Sequence, residues 1–109
     1  MVAEKILDHF FEAIHKDPII DAGHIALFMA LYRKWKDAGQ AESIAIERFD
    51  IMYLAKIGST TTYFRKMQDL NEQGYIVYEP SRKNGKKSCV KMKNVKNGEQ
   101  QSNNVSGSS

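Results

Sequence analysis

The stretch that decides the fold of this chain is Ile57-Gly58-Ser59-Thr60-Thr61-Thr62-Tyr63-Phe64-Arg65-Lys66-Met67-Gln68-Asp69-Leu70. Ser59 is a good N-cap, because its hydroxyl can accept a hydrogen bond from the amide near Thr62. Gly58 permits the sharp turn that a short connection between two helices needs. Gly74 follows the last apolar position, where a left-handed residue commonly ends a helix. The stretch therefore predicts a helix over residues 60–73.

The two faces of this predicted helix differ in chemistry. Tyr63, Met67 and Leu70 recur at i, i+4 and i+7, which makes one apolar stripe. The opposite side is polar, and a major groove can use it, because Arg pairs with guanine, Gln with adenine, and Thr with phosphate or a thymine methyl. This outer face consists of Thr61, Arg65 and Gln68, with Thr60 and Phe64 on one edge and Thr62, Lys66 and Asp69 on the other. An ordinary solvated helix surface is the alternative interpretation.

A β-hairpin is predicted directly after this helix. Residues 75–79 are rich in aromatic and branched side chains, as strands are, and residues 89–92 supply the return strand. Asn84-Gly85 is a strong hairpin signal, because both central residues of a type I′ turn need a positive φ. A turn centred there would pair Glu79 with Val90 and Val77 with Met92.

The tip of the predicted hairpin is strongly basic, with Arg82, Lys83, Lys86 and Lys87. Like charges at one tip repel one another, so an anionic partner would relieve them. A solubilising loop is the alternative interpretation of a basic tip. Its position directly after a helix-turn-helix favours the binding interpretation.

The chain from Ile44 to Met92 resembles the winged helix-turn-helix proteins among bacterial regulators and replication initiators. Two passages carry the resemblance. Leu70-Asn71-Glu72-Gln73-Gly74-Tyr75-Ile76 is similar to the L-x-x-x-G-[YF]-[IVL] passage that leads from the recognition helix into the wing. Ile57-Gly58-Ser59-x-x-Thr62-Tyr63 is similar to the turn and the start of the recognition helix.

The resemblance implies an α+β, mainly helical fold, with a three-helix core, a β-hairpin wing and an extra N-terminal helix. In such families the helix that matches residues 60–73 enters the major groove, and the wing lies along the backbone or minor groove. This places Thr60, Thr61, Phe64, Arg65 and Gln68 near bases. It places Ser59, Thr62, Lys66, Arg82, Lys83, Lys86 and Lys87 near the DNA backbone.

Three further elements are predicted before the deciding stretch. Residues 1–16 predict a helix with an apolar stripe, which Asp17-Pro18 ends. Residues 22–37 predict a second helix, capped by Asp21 and terminated by Gly39. Residues 44–46 predict a short strand beside the wing, and residues 47–56 predict the first helix of the helix-turn-helix. We expect the apolar face of that helix to consist of Phe49, Met52, Tyr53 and Leu54.

The stripe of the first helix has two interpretations. Its members are Ile6, Leu7, Phe10, Phe11 and Ile14. The adjacent phenylalanines are more often ordinary core, but they could also mark a homodimer contact through the N-terminal helix. If that helix projects from the rest of the chain, its stripe needs a partner chain, because large exposed apolar patches are rare on monomers.

Composition and charge fit a small DNA-binding domain. The chain has 109 residues, 42% of them hydrophobic, which is enough for one modest core. Residues 1–55 carry six cations and nine anions, whereas residues 56–96 carry ten cations and three anions. A basic half beside an acidic half indicates a one-sided anion-binding surface. The single cysteine, Cys89, fits a cytoplasmic protein, and no signal peptide or membrane span is predicted.

The sequence divides into three parts. We expect residues 1–20 to form the N-terminal helix and its connection, and residues 21–93 to form the winged helix-turn-helix domain. Residues 94–109 contain only Val95 and Val105 as sizeable apolar residues, so we expect a disordered polar tail.

No pattern of catalytic or cofactor chemistry is present in the sequence. His9 and His15 are six residues apart on a predicted helix, which is not a metal-ligand spacing, and His24 is alone. There is no glycine-rich phosphate loop and no nucleophile elbow. We therefore expect no catalytic residues, no metal, no cofactor and no small-molecule ligand.

These patterns together predict a sequence-specific double-stranded DNA-binding protein, a small bacterial transcriptional regulator that acts by occupying its site. Arg65 is the residue we expect to read a base. Two alternatives stay open at this point. One is an accessory protein of replication initiation or of a mobile element, which shares the DNA contact. The other is a winged-helix protein-interaction module that does not bind DNA.

Overall fold

The sequence folds into four helices and a three-stranded antiparallel sheet, described here by a computed structural model for residues 2–81 and 87–93. This mainly helical α+β arrangement is compatible with a winged helix. The elements in chain order are α1 (Val2–Ile14), α2 (Ala22–Asp37), β1 (Ile44–Ile46), α3 (Arg48–Ala55), α4 (Thr60–Glu72), β2 (Ile76–Glu79) and β3 (Ser88–Met92). The predicted Asn84-Gly85 turn and the predicted disordered tail lie outside the described residues.

Local hydrogen bonds mark the start of α2, the start of α3 and the end of α4. The Asp21 carboxylate caps α2 by accepting hydrogen bonds from the backbone N–H groups of Gly23 and His24. Glu47 caps α3 by accepting the amide of Asp50, so a glutamate serves where Ser or Thr is more usual. At the end of α4, Gly74 has a φ of 88°, and the next amide bonds back to the carbonyl of Leu70, as predicted.

The turn between α3 and α4 differs from the sequence prediction. The left-handed residue is Lys56, with a φ of 60°, whereas Gly58 does not have a positive φ. Lys56 ends α3, and the amide of Ile57 then bonds to the carbonyl of Met52. The chain therefore turns at Lys56, two residues before Gly58. The helix ends directly before this residue, at the buried Ala55.

The strands pair in the order β1-β3-β2, so β1 is the third strand beside the predicted wing, as expected. The predicted hairpin register is wrong by one residue. Tyr78 pairs with Val90, and Ile76 pairs with Met92. Directly opposed residues share a face of the sheet, so this register places the buried Ile76 and Val90 on the core side. Pairing Glu79 with Val90 would put a carboxylate on that side.

The core lies between the four helices and the inner face of the sheet. Phe10 of α1 stacks on Phe28 of α2, with ring centroids 3.8 Å apart, and meets the ring of Tyr75 edge-on. The stripe of α1 thus finds its partner within the same chain, although Phe11 stays 41% exposed. A homodimer through this helix remains a prediction.

The buried face of α3 was predicted incorrectly for three of its four residues, and only Met52 is confirmed as buried. The buried residues are Ile51, Met52 and Ala55. Phe49, Tyr53 and Leu54 are 61%, 72% and 41% exposed. Because apolar side chains occur all round this short helix, its sequence is compatible with either face pointing inward. Packing against α2 determines which face of α3 is buried.

Candidate nucleic-acid interface

Helix α4 is firmly placed by its caps and its inner face. The Ser59 hydroxyl accepts the amide of Thr62 at 3.2 Å, as predicted. Tyr63, Met67 and Leu70 are at most 1% exposed, so the predicted apolar stripe is confirmed as core. Burial raises the pKa of the Tyr63 hydroxyl well above its ordinary range. A helix held along one side in this way presents its other side in a fixed orientation.

The outer face of α4 is open to solvent. Thr60, Thr61, Arg65 and Gln68 are all exposed, and Phe64 is 37% exposed on their edge. These are the five residues predicted to read bases, and the structure brings them together on one face. No carboxylate in the described part of the chain forms a salt bridge with Arg65. Its five guanidinium N–H donors are thus available to a partner.

The other flank of α4 is tied to α2. Nζ of Lys66 lies 2.8 Å and 2.9 Å from the two carboxylate oxygens of Asp21, and its side chain is only 12% exposed. Lys66 was predicted to contact the DNA backbone, but its ammonium here has an intramolecular carboxylate partner. Its structural role is to link α4 to the N-cap of α2.

His24 and Asp69 extend this link between α2 and α4. Nδ1 of the buried His24 accepts the backbone N–H of Asp21 at 3.0 Å, and Nε2 donates to Oδ2 of Asp69 at 2.7 Å. The Lys66 ammonium lowers the pKa of the Asp21 carboxyl well below its ordinary range. Partial desolvation opposes this shift, and the hydrogen bond from the backbone N–H of His24 reinforces it. Asp21 was predicted from the sequence as the cap of α2, but its link to α4 was not, because 45 residues separate Asp21 from Lys66 and His24 from Asp69.

The remaining predicted backbone contacts are only partly described. Ser59 is exposed and uses its hydroxyl for the cap of α4, while Thr62 is half-buried. Lys87 is exposed at the start of the return strand, and Lys93 is exposed just after it. Arg82, Lys83 and Lys86 lie outside the described residues.

One feature not predicted from the sequence is a set of exposed aromatic rings that make cation–π contacts. The guanidinium carbon of Arg48 lies 4.4 Å from the ring centroid of Phe49 and 5.8 Å from that of Phe64. The Lys56 ammonium lies 4.7 Å from the ring centroid of Tyr53. We call these five residues the α3 aromatic patch. Its signal in the sequence is the i, i+4, i+7 spacing of Phe49, Tyr53 and Lys56 on one side of α3.

Residues 2–81 and 87–93 contain no group of three or more His, Cys, Asp or Glu side chains that could hold a metal ion. No helix within these ranges is long and apolar enough to cross a membrane. Comparison of the chain with protein-family models, curated proteins and solved structures gave no match.

Proposed function

We propose that the protein binds double-stranded DNA at specific sequences, as a winged helix-turn-helix protein, and regulates transcription by occupying its site. The observation that carries the proposal is the two-sidedness of α4. Tyr63, Met67 and Leu70 are buried on one side, while Arg65 and Gln68 are exposed on the other. A helix that is anchored along one side and carries Arg, Gln and Thr on the other has the side chains that read base edges.

The distribution of charge supports the same proposal. Residues 56–96, which contain α4 and the hairpin, carry ten cations and three anions. Lys87 and Lys93 flank β3 and are exposed. Cations beside a polar helix would bind phosphates without regard to sequence and would hold the helix in register on the duplex. In this proposal Arg65 and Gln68 supply sequence preference, and the hairpin lysines supply affinity.

An accessory role in replication initiation or at a mobile element would use the same contacts. Such a protein would differ in what it recruits to its site. A role in protein interaction alone would not explain why Arg65 and Gln68 are exposed together opposite the buried stripe of α4. For that reason DNA binding is the function that we favour.

The test is selection of binding sites from a randomised duplex library with the wild type and with Arg65→Ala. We expect the wild type to enrich one sequence. Arg65→Ala should bind that sequence about 5- to 150-fold more weakly, the equivalent of about 1–3 kcal/mol for a bidentate contact with a base. Its affinity for a random duplex should fall much less.

The matched control is Arg33→Ala, which removes another exposed arginine, one that pairs with Asp37 on α2. This variant should enrich the same sequence as the wild type and bind it equally well. If the wild type enriches no sequence, specific recognition is refuted. If Arg65→Ala weakens binding to every duplex equally, Arg65 contacts the backbone and not a base.

A further inference from the structure

The α3 aromatic patch is exposed beyond what folding requires. Phe49 is 61% exposed and Tyr53 is 72% exposed, so neither ring is needed in the core. Arg48 bridges the rings of Phe49 and Phe64, which joins the patch to the outer face of α4. A solvent-facing set of rings that continues into the proposed DNA-binding face has the character of a binding surface.

The chemistry of the patch favours a nucleic acid as its occupant. Proteins that bind single strands combine cations, which hold the phosphates, with aromatic rings, on which bases stack. Here each ring carries a cation near its face. Among the described residues, no carboxylate forms a salt bridge with Arg48 or Lys56. These cations are therefore available to phosphates.

The spacing of the rings fits unpaired bases and not a closed duplex. In a duplex the faces of the bases are covered by their neighbours, and a Phe side chain has no group that can read base edges by hydrogen bonding. Phe49 and Tyr53 are one helical turn apart, about 6 Å along the axis of α3. A ring inserted between consecutive bases separates them to about 7 Å, twice their stacked spacing. Successive unpaired bases can thus reach both rings.

We propose that the α3 aromatic patch binds an unpaired DNA strand, by stacking bases on Phe49 and Tyr53 and holding phosphates with Arg48 and Lys56. This inference rests on the proposed function, because it assigns the patch to the same DNA that α4 contacts. It adds a preference for DNA in which paired and opened segments adjoin. The protein would thereby favour melted or distorted sites over a fully paired duplex of the same sequence.

The test compares three fluorescein-labelled probes by anisotropy: a short duplex, the same duplex with a central unpaired bubble, and one of its single strands. The wild type should bind the bubble probe more tightly than the intact duplex. The double variant Phe49→Leu/Tyr53→Leu keeps apolar side chains but removes both rings. It should lose the preference for the bubble, by about fivefold or more for each ring, and should keep the wild-type affinity for the intact duplex.

A matched control is Ile19→Ala, which alters an exposed apolar side chain after α1 and should leave all three affinities unchanged. The inference is overturned if the wild type binds intact and bubble duplexes equally well, or if the double variant retains the preference. In both cases duplex binding, and with it the proposed function, still stands. Binding to the bubble and single strand without binding to the intact duplex would support the patch and overturn the proposed function. No binding to any probe at low salt would overturn both.

Discussion

Nζ of Lys66 lies within 2.9 Å of both carboxylate oxygens of Asp21, although 45 residues separate them in the chain. The same carboxylate accepts the first amides of α2. One side chain therefore caps α2 and positions α4. The orientation of the proposed DNA-binding helix depends on this contact and on the neighbouring contact between His24 and Asp69.

Removing the carboxylate of Asp21 should weaken the fold. We expect Asp21→Ala to lower the free energy of unfolding by about 1–2 kcal/mol, because the cap of α2 is lost. The ion pair adds little to this, since the Asp21 side chain is 62% exposed. Urea denaturation measures the effect. Asp37→Ala removes an exposed carboxylate that pairs with Arg33 but caps no helix, and it should stay within about 0.5 kcal/mol of the wild type.

The contribution of Asp21 should also depend on pH. Its pKa is lowered in the folded state below the ordinary value of 3.8, chiefly by Lys66. The folded state then binds the proton less tightly than the unfolded state, so the stabilisation is fully present above that value and is lost progressively as the pH falls from it through the lower folded-state pKa. The difference in unfolding free energy between the wild type and Asp21→Asn should be constant above about pH 5 and shrink in acid. A difference that stays constant in acid would refute this role.

A substitution at Gly23 tests how closely Lys66 packs against α2. Gly23 lies in the first turn of α2, where alanine in place of glycine would usually stabilise the fold by about 0.4–1 kcal/mol, because it restricts the unfolded chain. A β-carbon at Gly23 would lie 2.5 Å from Cε of Lys66, so the end of the lysine side chain, which contacts Asp21, would have to shift. We expect Gly23→Ala to bring no gain in the wild type and to stabilise the Lys66→Ala variant. Thermal unfolding of the four proteins of this double-mutant cycle gives the answer. Equal gains in both backgrounds would show that Lys66 does not restrict this position.

Adjacent phenylalanines on α1 should behave differently. Phe10 is 1% exposed and stacks on Phe28, whereas Phe11 is 41% exposed. We expect Phe10→Ala to lower the free energy of unfolding by about 3–5 kcal/mol and Phe11→Ala to lower it by less than about 1 kcal/mol. Chemical denaturation at two protein concentrations measures both effects. If the effect of Phe11→Ala grows with protein concentration, Phe11 belongs to a homodimer contact.

The predicted wing should act through charge alone. Replacing Lys83 and Lys86 by Gln should reduce the slope of log affinity against log salt by about two, because each phosphate contact contributes about 0.9. The sequence preference should not change. The matched control replaces Lys5 and Lys16, one within α1 and one just after it, and should leave the slope as it is. An unchanged slope in the Lys83 and Lys86 variant would show that these lysines do not contact DNA phosphates.

The sequence by itself determined the elements and the two faces of α4. Hydrophobic spacing and cap chemistry are local, so Asp21, Ser59 and Gly74 mark helix boundaries that the structure confirms within a few residues. The exposed set Thr61, Arg65 and Gln68 follows from the same spacing, because the buried stripe of a helix dictates its opposite side. The short strand Ile44–Ile46 was also predicted, and its pairing with β3 confirms its place beside the hairpin.

Only the tertiary structure decided which face of α3 is buried, which register the hairpin adopts, and what Lys66 contacts. Apolar residues surround α3, so local periodicity does not choose between Phe49 and Ile51, and packing against α2 does. A slip of one residue changes the face of every strand side chain, and only the shared core selects the register. The pairing of Lys66 with Asp21 joins residues distant in the chain. Local sequence spacing carries no information about such a contact, because it exists only once α2 and α4 have packed together.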